Sequence, residues 1–406
     1  MNTNEQQIVM TKKKEKYFTF LLIIAVLLIA STLRSPITSV GPLIPFIRED
    51  LTAPNVLIGV INTLPLIAFG FFSPFIPSIA RKFGMEKMLL AAMVVLSISV
   101  LMRSFGGMPL LLISTLFIGL SIAVGNVLMP GIIKLSFPYR IGFMTGMYSV
   151  CMNVFGALAA GIAVPLTDLD FISWRESLQV WSVISAAAVI VLIFRLPVMF
   201  LNHLKPGEVK SQSKGGLLKS KTAWGVTLFM GFQSFIPYSL FTWLPDILIS
   251  KGYSESAAGW LIALYQVGLI PTTFVAPIAA GKVNDQRLYA FLAGIIFFIG
   301  IFGIRFFDEA YIPLFLFIAG IAAGITFSLA MMFFVLRTNT ISESANLSGM
   351  AQSIGYFIAA IGPIALGLVA DVFESWNAPL NILLLISLGI SAAGLVAGRN
   401  TKINYR

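Results

Sequence analysis

The chain has 406 residues and a net charge of +10, and it is 58% hydrophobic with only 11% charged residues. A soluble globule of this length is excluded by that composition. The basic excess is scattered over short loops without interleaved stacking aromatics, so it does not mark a nucleic-acid partner. The lone Cys151 rules out a disulfide framework.

Twelve apolar runs long enough to span a bilayer follow one another: 17–47, 55–80, 87–104, 109–135, 140–166, 176–198, 222–249, 255–281, 287–306, 311–336, 345–371 and 379–398. The expected class is therefore an all-α membrane protein of twelve transmembrane helices. The first run is too long for a cleaved signal peptide and has no small-residue cleavage site.

That first run carries one charge, Arg34, within Ser31-Thr32-Leu33-Arg34-Ser35-Pro36-Ile37-Thr38. At about 1.5 Å per helical residue, Arg34 lies roughly 27 Å from Lys16 and roughly 21 Å from Arg48. An arginine at that depth costs about 2.5 kcal/mol or more, so it faces a cavity or a partner. The acids Asp246, Asp371, Glu374 and Glu343 fall at helix ends and cannot match it. Two readings are open. Arg34 binds backbone carbonyls at the break made by Pro36, or it binds an electron-rich group of a solute. The second is favoured, because a planar fork of donors suits carboxylate, cyanate or a nitro group.

Further polar residues punctuate other runs. Thr38 lies one turn beyond Arg34; Asn62 is in the second run, Asn126 in the fourth, and Tyr148 and Asn153 in the fifth. Gln233 and Tyr238 follow in the seventh, Tyr265 and Gln266 in the eighth, and Gln352 and Tyr356 in the eleventh. Each has a plainer reading as interhelical glue worth about 0.6 kcal/mol or as a packing aromatic. The third, sixth, ninth and twelfth runs are nearly all apolar in their middles, as lipid-facing supports are.

A Lys/Ser/Gly-rich stretch at 199–221 reads as a cytoplasmic linker. It separates a first six-helix bundle, 17–198, from a second, 222–398, with cytoplasmic tails at 1–16 and 399–406. The halves repeat at an offset of two hundred positions: Pro45 matches Pro245, Gly59 Gly259, Leu64 Leu264, Pro77 Pro277 and Lys82 Lys282. Thr145-Gly146-Met147 also matches Ser348-Gly349-Met350. Parallel repeats of six helices are the build of a secondary transporter.

Basic residues set the orientation. Lys12, Lys13, Lys14, Lys16, Arg81, Lys82, Lys134, Arg140, the linker lysines, Lys282, Arg287, Arg337 and Arg399 fall on one side. The other receives Arg48, Arg103, Arg175, Lys251 and Arg305. Both termini are therefore expected in the cytoplasm.

Twelve spans, a basic central loop and related halves resemble the major facilitator superfamily. Leu33-Arg34-Ser35-Pro36-Ile37-Thr38-Ser39-Val40-Gly41-Pro42-Leu43 is similar to the first-helix signature of its cyanate/2-nitroimidazole permease family. So is Trp224-Gly225-Val226-Thr227-Leu228-Phe229-Met230-Gly231-Phe232-Gln233-Ser234, continuing to Trp243-Leu244-Pro245. The resemblance implies a major facilitator fold of two six-helix bundles and alternating access. It also implies a central path lined by helices one, four, seven and ten, with support from two, five, eight and eleven. On those helices Arg34, Thr38, Asn62, Asn126, Tyr148, Asn153, Gln233, Tyr238, Gln266 and Gln352 are the candidate substrate-binding residues. The superfamily loop Gly-x-x-x-Asp-Arg-x-Gly-Arg-Lys reads here Pro77-Ser78-Ile79-Ala80-Arg81-Lys82-Phe83-Gly84-Met85-Glu86-Lys87. Arg81 thus stands where the family has Asp. Arg81 and Gly84, with the helix-bending Pro36 and Pro237, are the candidate gating positions.

The only histidine, His203, falls in the linker, and no carboxylate occupies the path. A carboxylate-relay symporter is disfavoured, leaving facilitated diffusion, exchange or proton movement with the solute. Asp246 is the remaining protein candidate for a proton site. Neither a phosphate-binding loop nor a metal-spaced Cys/His cluster occurs. No cofactor, metal or enzymatic activity is therefore expected. The expectation is a monomeric transporter in the bacterial plasma membrane, moving a small anionic or polar planar solute. Drug or antimetabolite efflux is the alternative, and a solute sensor that does not transport is a second.

Overall fold

A computed structural model describes residues 3–52, 55–169, 171–195 and 214–403. Most of the 199–221 linker, His203 included, lies outside the described residues. The elements are α1 (Thr3–Thr32), α2 (Ser35–Thr38), a 3-10 turn (Gly41–Leu43), α3 (Ile44–Leu51), α4 (Asn55–Phe72), α5 (Ile76–Phe83), α6 (Met85–Met102), α7 (Met108–Ser136) and α8 (Ile141–Thr167). They continue with α9 (Trp174–Gln179), α10 (Trp181–Phe194), α11 (Lys214–Lys219), α12 (Lys221–Ile249), α13 (Glu255–Ala280), α14 (Arg287–Phe306), α15 (Ile312–Leu336), α16 (Ile341–Phe373) and α17 (Asn377–Ala397).

Among the described residues ten helical segments are long and apolar enough to cross a membrane, and the bent pair α4–α5 makes eleven. α12, 29 residues long, has the length of a twelfth. Gln233, Ser234, Tyr238 and Ser239 lower its apolarity. Prolines shape several spans by removing a donor and crowding the preceding turn. α1 stops at Thr32, ahead of Ser35-Pro36. There the hydroxyls of Ser31 and Ser35 donate to the carbonyls of Leu27 and Ser31, each at 2.8 Å, which satisfies carbonyls near the break where lipid offers no donors. α4 and α5 meet at a 62° bend around Ser73-Pro74-Phe75. Pro237, by contrast, sits inside an uninterrupted α12.

The chain forms two compact units. The first comprises residues 1–65, 79–125 and 151–210, and the second 66–78, 126–150 and 211–406. In the first, α10 packs on α1 and α6. A buried cluster of Val40, Leu43, Ile47, Ile61, Leu111, Ala163, Trp174 and Leu178 fills one end. Buried Arg195 donates to the Glu86 carboxylate at 3.2 Å and to the Phe18 carbonyl. Arg175 donates to Asp50 at 2.7 Å and to the carbonyls of Ser104 and Gly106 at 2.8 and 2.9 Å.

In the second unit, small residues let backbones touch, as packing between helices in lipid requires. A Cβ on Gly320 or Gly324 of α15 would collide with the carbonyls of Tyr265 or Leu269 on α13. Buried Arg337 ties the end of α15 to two loops. Its Nε donates to Ala397 O at 2.7 Å, and its Nη2 donates to Gly398 O at 3.1 Å and to Gln286 Oε1. Lys134, on α7, donates to Val335 O at 2.9 Å, Thr338 Oγ1 at 2.8 Å and Thr338 O. One ammonium thus caps the C-terminus of α15 with all three of its donors.

Candidate functional site

Arg34 lies in the turn between α1 and α2, half-buried, with φ −125° and ψ −36°. Its own carbonyl accepts from the amides of Ile37 and Thr38, each at 3.0 Å. Its Nη1 donates to Asn153 Oδ1 of α8 at 2.7 Å, a charge-assisted bond that orients the guanidinium plane. The stem of Arg34 crosses α8 at Gly156, where an added Cβ would stand 3.2 Å from Arg34 Cβ. Thr38 Oγ1 donates to the Gly156 carbonyl at 2.8 Å. Arg34, Thr38 and Asn153 therefore form one constellation.

The Pro36 carbonyl, which Arg34 could have bound, is taken by Arg103. Its Nη1 donates to Pro36 O at 2.6 Å and its Nη2 to Leu178 O at 3.2 Å. Arg103 was read from sequence as an outer-loop basic residue, yet it is 1% exposed. The signal that could have found it is the one that exposed Arg34, since Arg103 is the lone charge between Lys87 and Lys134.

A second polar group lies in the other unit. Tyr148 donates to Asn126 Oδ1 at 3.0 Å. Gln352 Nε2 donates to the Asn126 carbonyl at 2.9 Å and to Ser348 Oγ at 2.7 Å. Asn126, Tyr148 and Gln352 are thus drawn together, all buried, and among the described residues Gln352 Oε1 is buried without a hydrogen-bond partner. Ser348 was missed because a serine in an apolar run carries little signal.

The remaining candidates are placed differently. The amide nitrogen of Gln233 is spent on its own helix, donating to Met230 O at 3.2 Å and Ser234 Oγ at 2.7 Å. The half-buried Tyr238 stands edge-on to Tyr356, with ring centroids 6.4 Å apart. Gln266 is half-buried on α13, and Asp246 is exposed on α12. The side chain of Asn62, on α4, lies outside the described residues. Among the gating candidates, Pro36 is buried in α2 and Arg81 is exposed on α5. Gly84 takes φ +91° between α5 and α6, a backbone region that L side chains rarely adopt.

The Major Facilitator Superfamily profile matches residues 20–363. The chain belongs to the major facilitator superfamily. Along 390 residues it is 37% identical to the uncharacterized transporter YycB of Bacillus subtilis (strain 168), covering 96% of both chains. It is 36% identical to the 2-nitroimidazole transporter of Escherichia coli (strain K12), over 94% of this chain and 96% of that one. Identity to the cyanate transport protein CynX of the same organism is 23%, over 86% of this chain and 90% of the other. The fold matches a solved structure of the proton:xylose symporter XylE with a TM-score of 0.75 at 13% identity, covering 96% of this chain and 98% of that one. This superfamily member is a multi-pass membrane transporter of the nitroimidazole/cyanate kind, not an enzyme, with the twelve-helix major facilitator fold.

Proposed function

We propose that this transporter moves a small anionic or polar planar solute by alternating access across the bacterial plasma membrane, with Arg34 as its main binding residue. The observation that carries the reading is the half-buried guanidinium at the α1–α2 break, oriented by Asn153 at 2.7 Å with its stem seated over Gly156. A planar donor fork held this way can meet two acceptor atoms of a flat solute side by side. Relatives named for 2-nitroimidazole and cyanate add support, since a nitro group offers two oxygens side by side and the linear cyanate anion is small and electron-rich. The protein works as a monomer with both termini in the cytoplasm.

The test is a thermal shift of purified protein and Arg34→Ala with cyanate, nitrate, small carboxylates, 2-nitroimidazole and cationic dyes, followed by flux into liposomes. A solute that binds the native state raises its Tm. Stabilisation by one of the planar solutes, lost in a folded Arg34→Ala, is the expected result. Equal stabilisation of both proteins by dyes would overturn the Arg34 role and favour efflux. Binding without flux would identify a sensor.

A further inference from the structure

We infer that Arg103 is the positioning residue for Arg34: it holds the broken first span in the shape that presents the Arg34 guanidinium. Ser31 and Ser35 satisfy carbonyls on the α1 side of the break, and Arg103 reaches the carbonyl of Pro36 itself. In a continuous helix the Pro36 carbonyl would accept from the amide of Val40. Here the Val40 amide donates to Ile37 O at 3.2 Å instead, so the carbonyl needs another donor. Arg103 supplies it at 2.6 Å, and among the described residues the other side-chain donor to it is Ser39 Oγ, at a marginal 3.5 Å. A buried carbonyl left without a donor in the membrane is costly, so this bond selects the conformation in which it can form.

Apolar side chains pack around the break, and the cavity that remains beside Pro36, Ile37 and Arg103 is only about 10 Å³. Apolar packing supplies no donor to the Pro36 carbonyl, whereas Arg103 does. The second bond, to Leu178 O next to the end of α9, anchors the guanidinium to a different helix pair. Arg103 therefore spans from α6 to the break and to α9, all within the first unit. Among the described residues it has no acidic partner, and its Nε is buried without a hydrogen bond. Carbonyl oxygens provide its hydrogen-bonding neutralisation, which makes the two bonds it does form expensive to lose. The Pro36 carbonyl lies two residues beyond Arg34, and the amides of Ile37 and Thr38 return to the Arg34 carbonyl. Movement of that turn moves the base of the Arg34 side chain.

This inference rests on Arg34 binding the solute for its functional consequence, but its structural content can be measured separately. A nitroxide is placed at position 34 in an Arg34→Cys, Cys151→Ser background, and its mobility is read by electron paramagnetic resonance without solute. Mobility is expected to rise in Arg103→Met and to return towards the starting value in Arg103→Lys, whose ammonium can still meet one carbonyl. In proteins that keep Arg34, Arg103→Met is expected to raise KM for the responsive planar solute about ten-fold or more with kcat little changed. Arg103→Lys should recover part of that loss. Arg103→Gln serves as the neutral variant if Arg103→Met does not fold. An unchanged nitroxide spectrum in a folded Arg103 variant overturns the inference, as does an unchanged KM where Arg34→Ala has abolished binding. If Arg34→Ala still binds solute while the nitroxide is mobilised by Arg103→Met, positioning stands and the binding role of Arg34 falls.

Discussion

Gly349 of α16 lies directly against Pro77 of α5. A Cβ on Gly349 would stand 3.1 Å from Pro77 Cγ and 2.7 Å from Ser73 O. The equivalent positions of the repeat meet in the reciprocal sense, since a Cβ on Gly146 would stand 3.4 Å from Pro277 Cγ and 3.0 Å from Phe274 O. Each glycine thus touches the proline of the other sequence repeat, and both seams lie within the second compact unit. Their sequence match at Gly146/Gly349 and Pro77/Pro277 has a physical cause: duplicated helices whose backbones must approach closely need a missing Cβ at the crossing.

Valine at either glycine is therefore expected to disrupt its seam at about 1–3 kcal/mol of overpacking. Flux into liposomes should fall several-fold for Gly146→Val and Gly349→Val. Gly161→Ala is the control, since an added Cβ there meets nothing within 4 Å. Equal flux in all three would remove the functional weight of the seams.

Asn153→Asp should convert the neutral partner of Arg34 into a carboxylate at the same 2.7 Å position. The new ion pair would compete with an anionic solute for the guanidinium. Solute affinity is expected to drop at least ten-fold while Tm holds or rises. Asn153→Ala should weaken affinity less, and isothermal titration separates the two.

Lys134→Met removes three donors from the C-terminal carbonyls and hydroxyl of the α15 end. Loss of a charge-assisted cap is expected to cost about 1–3 kcal/mol in the conformation seen here. Solute-free protein should then expose cysteines introduced on α8 and α16 near Gly146 and Gly349 to thiol reagents more readily. Unchanged reactivity would show that the Lys134 cap on α15 does not help keep these glycine crossings closed.

Arg337→Ala leaves Gln286 Oε1, Ala397 O and Gly398 O without their buried donor. Several unsatisfied groups together are expected to destabilise the protein by about 3–5 kcal/mol. Detergent-solubilised protein should show a clearly lowered Tm, and Arg337→Lys should restore only part of it because it lacks the planar fork.

Gly84→Ala tests the joint between α5 and α6. At φ +91° an alanine is strained whatever the free space around it. A cost of about 1–3 kcal/mol is expected in thermal unfolding.

Much of the architecture was legible because lipid is a strict solvent. Unbroken apolar runs must be helical, so the spans could be counted along the chain, and a lone charge such as Arg34 drew attention to itself. The same logic extends to Arg103, but its nearness to a run end made it look like a loop residue. Gln233 shows the opposite limit. It was grouped with Arg34 as a polar residue on a path helix, yet its amide nitrogen turns back on Met230 and Ser234. Position along a helix does not determine which way a long polar side chain folds.

The sequence by itself determined the class, the apolar spans, the duplication and the break at Pro36. These follow from local composition, periodicity and the missing donor of proline, and none needs a distant partner. Only the tertiary structure decided that Asn153 orients Arg34, that Arg103 holds the Pro36 carbonyl and that Lys134 caps α15. Each joins residues at least 67 positions apart in the chain. Such pairings depend on how helices rotate and approach one another, which is set by summed packing and by the demand that every buried polar group find a partner.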